Sequence, residues 1–204
     1  MSEISNNIAV VSGIAADAPV FSHTHGGENF YTFTIKVKRL SEIYDCINAT
    51  VPERLLIAKP IAAGDIVTVR GQFRSYNNYS GVGRRLILTL FIQETDIPPE
   101  SVTAPNSLYL NGYICKQPIY RTTPFGREIT DIILAVNRPF GKSDYIPCIA
   151  WGRNAKFAQT LSVGDNIEIY GRIQSREYQK KIDESEVVTK TAYEVSVTKI
   201  DICT

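Results

Sequence analysis

The sequence predicts an all-β dominated chain: two tandem five-stranded barrels, each with a short helix between strands three and four. Three observations carry this: an internal repeat, strand-length runs of alternating apolar and polar residues, and one helix-compatible segment at the same place in each copy. The repeat is read from matched blocks. Gly13 in Val-Ser-Gly-Ile matches Gly112 in Leu-Asn-Gly-Tyr, an offset of 99 (112 − 13). The run from Tyr31 to Arg39 matches that from Thr130 to Arg138 by the same offset, and Ala63 to Gly71 matches Val163 to Gly171 by 100. Order and spacing are kept, so the unit is a domain present twice. Its expected bounds are 1–97 and 107–204, with a linker over 98–106 stiffened by Pro98, Pro99 and Pro105, which cannot donate to a central ladder.

The elements follow in the same order in both copies. In the first, strands are predicted over Ile8 to Ile14, Tyr31 to Val37 and Tyr44 to Asn48. Pro52 to Lys59 has proline near its start and no period-two alternation, as a short helix does. Gly64-Asp65 turns the chain into a strand from Ile66 to Tyr76, and Arg85 to Glu94 closes the unit. The second copy offers Ser107 to Cys115, Glu128 to Asn137, Asp144 to Trp151, a helix from Asn154 to Leu161, then Asp165 to Tyr178 and Thr191 to Asp201. This is the strand order of an OB-fold barrel. Alternation supports a closed sheet with one wet face: Val67, Val69 and Phe73 lie opposite Thr68, Arg70, Gln72 and Arg74, and Ile167, Ile169 and Ile173 repeat the scheme. Polar hairpins over Asn77 to Arg84 and Gln179 to Lys190 are long enough to fold over a ligand.

Composition narrows the function classes. With 44% hydrophobic and 21% charged residues the 204-residue chain is an ordinary globular one. Its 22 basic and 21 acidic residues nearly cancel, so any nucleic-acid footprint must be local. No apolar stretch is long enough for a membrane span and the N-terminus lacks a signal pattern, which reads as cytoplasmic with no membrane partner. Four cysteines without C-x-x-C spacing are expected as free thiols, and no metal or other cofactor is expected. No nucleophile elbow, H-E-x-x-H pair or phosphate loop is present, His23 and His25 fall in one loop, and Asp45, Asp65, Asp131 and Asp165 are scattered, so no enzyme is expected.

The polar face instead offers rings and cations. Tyr145 and Trp151 are six residues apart on one strand, an even spacing that places both on one side, while Ile146, Cys148 and Ala150 point the other way. Tyr178, Phe140, Tyr44, Tyr76 and Tyr79 extend the candidate stacking set, since unstacked bases bind exposed rings. On the second strand of the first unit Thr32, Thr34, Lys36 and Lys38 share a face. Arg39 and Arg138 hold matching positions at the end of strand two, where an arginine can leave the barrel edge and meet phosphate. Arg70, Arg74, Arg84 and Arg85 in one unit, with Arg121, Arg153, Arg172 and Arg176 in the other, complete the candidate phosphate contacts. The first barrel thus looks more electrostatic and the second more aromatic.

The second unit also carries a family pattern. Tyr120-Arg-Thr-Thr-Pro-Phe-Gly-Arg-Glu-Ile-Thr-Asp-Ile-Ile-Leu-Ala-Val-Asn-Arg138, Tyr145-Ile-Pro-Cys-Ile-Ala-Trp-Gly-Arg-Asn-Ala155, Val163-Gly-Asp165 and Gly171-Arg-Ile-Gln-Ser-Arg-Glu-Tyr178 resemble the bacterial single-stranded DNA-binding protein family. The first unit resembles it more faintly, through Phe33-Thr-Ile-Lys-Val-Lys-Arg39 and Val69-Arg-Gly-Gln-Phe-Arg-Ser-Tyr76. The resemblance implies a protein that wraps single-stranded DNA over four barrels in replication, recombination and repair, largely without sequence preference. Tyr145, Trp151 and Tyr178 match its stacking positions, and Arg172 and Arg176 its basic strand. Two barrels per chain then imply a homodimer presenting four, with strand one as the pairing edge, in a nucleoid-associated cytoplasmic protein. Two departures stand out. The chain ends at Thr204 without the family's acidic recruitment tip, and the first unit has Ala49-Thr-Val-Pro-Glu53 where the family has W-G-x-x-A, which weights that barrel towards assembly. The alternatives are a replication-restart accessory of the same fold and an oligomeric assembly module that binds no DNA.

Overall fold

The structure is a computed structural model and describes residues 6–77, 86–95, 97–181 and 187–203. Alternating sequence makes strands, and strands dominate. The first unit runs β1 (Asn7–Ala15), β2 (Val20–His25), β3 (Glu28–Lys38), β4 (Tyr44–Pro52), α1 (Glu53–Ala58), β5 (Ile66–Asn77) and β6 (Leu86–Glu94). The second runs β7 (Asn106–Ile114), β8 (Ile119–Thr122), β9 (Glu128–Arg138), β10 (Lys142–Trp151), α2 (Arg153–Ala158), β11 (Asn166–Lys181) and β12 (Val187–Ile202).

In each unit five strands close into an OB barrel. β1 pairs with β3 at Ile14↔Lys36, β3 with β4, β4 with β6 in parallel at Ala49↔Leu90, β6 with β5, and β5 returns to β1. The second ring repeats this, with the parallel pair at Cys148↔Val195. Inward positions fill the two barrels: Phe33, Ile35, Ile47, Phe73 and Leu90 in one, Leu110, Leu134, Ile146, Ile167 and Val195 in the other, all at most 3% exposed. Closure needs glycine at two matched pairs of positions. A methyl group on Gly71 would lie 2.0 Å from the Phe91 carbonyl oxygen and one on Gly171 2.4 Å from that of Ser196, both at bulges in the β5–β6 and β11–β12 ladders. Gly13 and Gly112 sit where β1 and β7 cross the next strand, each 2.5 Å from a carbonyl in the same sense.

Each unit has one strand more than the sequence predicted. β2 and β8 pair only with β3 and β9 and extend the barrel wall as hairpins. All six β2 residues are exposed, so no burial alternation marks it, and His23 and His25 lie on this strand and not in a loop.

The two rings are one sheet. β1 pairs antiparallel with β7 from Asn7↔Leu110 to Val11↔Asn106, giving a continuous twelve-stranded order. The repeat partner of Asn7 is Asn106 and that of Val11 is Leu110, so the register is two-fold symmetric about the join. This corrects the expectation that strand one pairs between chains: its edge is occupied by the chain's own second copy. Matched asparagines brace the join. The Asn7 amide donates to Phe73 O at 2.8 Å and accepts from Phe73 N at 2.9 Å, and Asn106 does the same with Ile173 at 2.7 and 2.9 Å. Between β6 and β7 the chain makes one 3-10 turn, Pro99–Ser101, and Pro105 O accepts the Ser12 N–H at 2.8 Å. The four cysteines are free thiols. Among the described residues no helix is long and apolar enough to cross a membrane, and no group of three His, Cys, Asp or Glu side chains could hold a metal ion.

Candidate nucleic-acid interface

On β10 the alternation places Tyr145 and Trp151 outward and buries Ile146, Cys148 and Ala150. Burial pushes the Cys148 thiol well above the usual range, as befits core packing. Tyr145 is exposed, and Trp151, half-buried, lies at the far end of the strand opposite Ile129. With Thr123, Phe125 and Arg127 it lines an open depression of about 520 Å³. Phe125 is 93% exposed at the tip of the β8–β9 hairpin, beside Gly126 at φ 74. Phe140 is 99% exposed on the turn from β9 to β10, with φ 63. Tyr178 is half-buried on β11.

The cations of this face are met by its own carboxylates. Arg121 Nε donates to Asp131 at 2.6 Å, Arg176 lies 3.9 Å from Glu194, and Gln174 Nε2 donates to Glu194 at 3.1 Å. The Glu194 carboxyl is pushed up by burial, against the pull of Arg176. Arg153, on the first turn of α2, is exposed.

Three predicted phosphate ligands are placed between the barrels instead. Asp45, almost fully buried, accepts from Arg39, from Arg172 at 2.6 Å and from the Ser175 N–H at 2.9 Å. Arg39 also reaches Ser175 O at 2.8 Å, and Ser175 Oγ accepts the Cys46 N–H at 2.8 Å. The mirror cluster holds Asp144, which accepts the Ser75 N–H at 2.7 Å, while Ser75 Oγ accepts the Tyr145 N–H at 2.8 Å. Arg138 Nε lies 3.2 Å from Asp144 Oδ2 without hydrogen-bond alignment, and neither atom finds another partner among the described residues. Burial pushes the Asp144 carboxyl up despite Ser75 and Arg138. Arg39 and Arg138, with side chains 21% and 19% exposed, therefore do not project from the barrel edge; each lies against the aspartate of its own barrel that clasps the other, and Arg39 also reaches across to Ser175 O.

In the first barrel Lys36 and Lys38 are exposed on the outer face of β3, Lys38 with Glu42 at 2.6 Å. Arg70 lies 3.3 Å from Glu94. Arg74 bonds Gln72 at 2.7 Å and stacks over the Phe91 ring at 3.9 Å. Tyr44 and Tyr76 are exposed, and the Arg138 guanidinium lies 5.4 Å from the Tyr76 ring centre. Tyr79, Arg84 and Arg85, with most of the β5–β6 hairpin, lie outside the described residues. Sequence reasoning missed Phe125, Phe30, Phe91 and Lys142 on these faces. Phe125 alone had a local signal: a ring between Pro124 and Gly126 at a hairpin turn is held out to solvent.

Outward rings beside cations are the features by which OB barrels in general hold single-stranded nucleic acid. Residues 105–203, the second barrel, match the model of the Single-strand binding protein family. That region is similar to a single-stranded DNA-binding protein of Clostridium tetani, 38% identical over 92 residues covering 42% of this chain and 63% of the relative. It is similar also to single-stranded DNA-binding protein A of Bacillus subtilis, 33% identical over 96 residues covering 44% of this chain and 56% of the relative. The chain thus spans less than two thirds of the curated relatives' length. The crystal structure of the wild-type single-stranded DNA binding protein from Thermus aquaticus covers 97% of this chain and 93% of its own, with a TM-score of 0.76 at 17% identity. That likeness extends the shared fold over both barrels.

Proposed function

We propose that the protein binds single-stranded DNA largely without sequence preference, protecting and straightening exposed strands in replication, recombination and repair. The observation that carries this is the outward display of Tyr145 and Trp151 on β10 of a barrel with the family's sequence. Bases stack on Tyr145, Trp151, Tyr178 and Phe140, and phosphates meet Arg121, Arg153 and Arg176 on the second barrel and Lys36, Lys38, Arg70 and Arg74 on the first. A duplex hides its bases and cannot use the rings. The protein is a binding protein of the cytoplasm, associated with the nucleoid, with domains over 1–97 and 107–204 joined by 98–106.

The partner copy docks face to face in this reading. The outer surface of β5, β1, β7 and β11 carries Ile8, Ile14, Tyr113 and Tyr170, each 37–46% exposed, with Tyr109 between them. Covering it with a second chain stacks two continuous sheets and presents four barrels.

The test is a fluorescence titration with labelled oligo-dT, a duplex of equal length and the matching RNA, alongside light-scattering mass. Tight, salt-weakened binding of oligo-dT by a dimer, weakened by Trp151→Ala, supports the reading. Equal binding of duplex overturns it.

A further inference from the structure

The barrels meet along the β1–β7 ladder, and an aspartate–serine clasp stands at each end of it. Asn7, at one end of the ladder, brackets Phe73, two residues before Ser75; Asn106, at the other end, brackets Ile173, two residues before Ser175. The two-fold register makes the clasps comparable. In each, an aspartate accepts a serine N–H from the other barrel, and the serine Oγ accepts the N–H of the residue after the aspartate: Ser175 with Asp45 and Cys46, Ser75 with Asp144 and Tyr145.

Beyond this shared pattern the two ends part. At the Asp45 end two charged bonds cross the joint, from Arg172 Nη1 to Asp45 at 2.6 Å and from Arg39 Nη2 to Ser175 O at 2.8 Å. At the Asp144 end no guanidinium of the first barrel bonds the carboxylate among the described residues. What crosses there is the exposed Asn6 amide, which donates to Asn137 O at 2.7 Å, and the Arg138 guanidinium, 5.4 Å from the Tyr76 ring centre. Asp144 is fully buried, yet its Oδ2 finds no aligned partner, so the charge is desolvated with little compensation.

The cause is an exchange of two side chains between the copies. Gln72 and Arg172 each follow a bulge glycine, Gly71 and Gly171, and so hold the same place in their barrels. Two residues on, the types are reversed, Arg74 against Gln174. Within each pair the arginine bonds the glutamine, Arg172 Nη2 to Gln174 Oε1 at 2.9 Å and Arg74 Nη2 to Gln72 Oε1 at 2.7 Å. In the second barrel the arginine stands where it reaches Asp45. In the first it lies over the Phe91 ring at 3.9 Å, and the residue in the clasping place is uncharged.

We propose that the joint is a one-ended hinge: the Asp144–Ser75 clasp opens while the Asp45–Ser175 clasp and the β1–β7 ladder hold, and Gln72, standing in the place of an arginine, sets which end opens. Local opening starts where buried pairing is poorest. A cleft of about 720 Å³ lies at the opening end, and its lining comes from both barrels, Arg74 and Tyr76 from one and Arg138 and Lys142 from the other. Release of the clasp parts these two pairs, so the hinge governs the width of the cleft while the far end of the joint stays shut. None of this depends on what the barrels bind.

The experiment is residue-resolved hydrogen exchange by NMR on the full chain, with four backbone N–H groups as paired reporters: Ser75 and Tyr145 at one end, Cys46 and Ser175 at the other. The hinge predicts protection factors about tenfold or more lower for Ser75 and Tyr145, the worth of one hydrogen bond to a charged group. The double variant Gln72→Arg/Arg74→Gln gives Asp144 a second guanidinium and is expected to raise Ser75 and Tyr145 to the protection of the other pair, leaving Cys46 and Ser175 unchanged. Its converse, Arg172→Gln/Gln174→Arg, is expected to lower Cys46 and Ser175 by a similar factor. Both exchanges keep composition and charge, and thermal transitions check that they fold. Equal protection of the two pairs in the wild type overturns the hinge, and unequal protection that neither exchange alters overturns the role of Gln72.

Discussion

Asp45 and Asp144 hold the same place in the two barrels, and each accepts the backbone N–H of a serine from the other, Ser175 at 2.9 Å and Ser75 at 2.7 Å. The two clasps are unequal. Asp45 is paired with two guanidinium groups, whereas Asp144 has Arg138 alone, at 3.2 Å and poorly aligned. Removing a buried partner leaves the other charge uncompensated, which costs about 3–5 kcal/mol in comparable cases. Asp45→Ala is therefore expected to be the more damaging of the two alanine variants, and Asp45→Asn, which still accepts the Ser175 N–H, milder than Asp45→Ala. Urea unfolding midpoints give the ranking, and equal losses for both aspartates would refute it.

The bulge glycines predict a second pair of effects. Gly71→Ala and Gly171→Ala each force a methyl group into a carbonyl of the neighbouring strand, and backbone on both sides leaves little room to relax. Both variants are expected to lose stability by about 1–3 kcal/mol or more, the range for overpacked sites. Gly26→Ala, in a turn with nothing within 4 Å, is the control and carries only the strain of its φ of 58. Thermal unfolding distinguishes them.

These two cases also mark what a sequence can disclose. The barrels were legible because alternation of Val67, Val69 and Phe73 against Arg70 and Arg74 is local, and because the chain says it twice. Tyr145 and Trp151 were legible for the same reason. The role of Arg39 and Arg138 was not: their matched positions are visible, but Asp45 and Asp144 meet Ser175 and Ser75 only once β1 has paired with β7. β2 escaped because a strand with no buried side has no period to read.

Phe125 provides a test of the second barrel's reach. It is almost fully exposed at a hairpin tip, so it contributes little packing, yet it borders the depression that Trp151 lines. Phe125→Ala is expected to leave the unfolding temperature unchanged and to weaken oligo-dT binding about 5–150-fold, the worth of one stacked base. Unaltered affinity by fluorescence titration would remove Phe125 from the interface.

Glu194 links the electrostatics of the same face to stability. Its carboxyl is raised above the ordinary glutamate value of 4.5 chiefly by burial, with Asp131 adding repulsion and Arg176, Gln174 and Arg121 opposing it. The folded protein therefore holds this proton more tightly than the unfolded chain does. The stability contributed in this way is fully present below pH 4.5 and is lost as the pH rises through the folded value. Glu194→Gln cannot ionise and can still accept the Gln174 bond, while the lost pairing with an exposed Arg176 at 3.9 Å is worth little. The variant should thus melt above the wild type at pH 7.5, with the gap closing as the pH falls towards 4.5. Because it also releases Arg176 from a competing carboxylate, it should bind oligo-dT more tightly at low salt and with a steeper salt dependence. A variant that melts below the wild type at pH 7.5 would mean that the ion pair outweighs the cost of burying the charge.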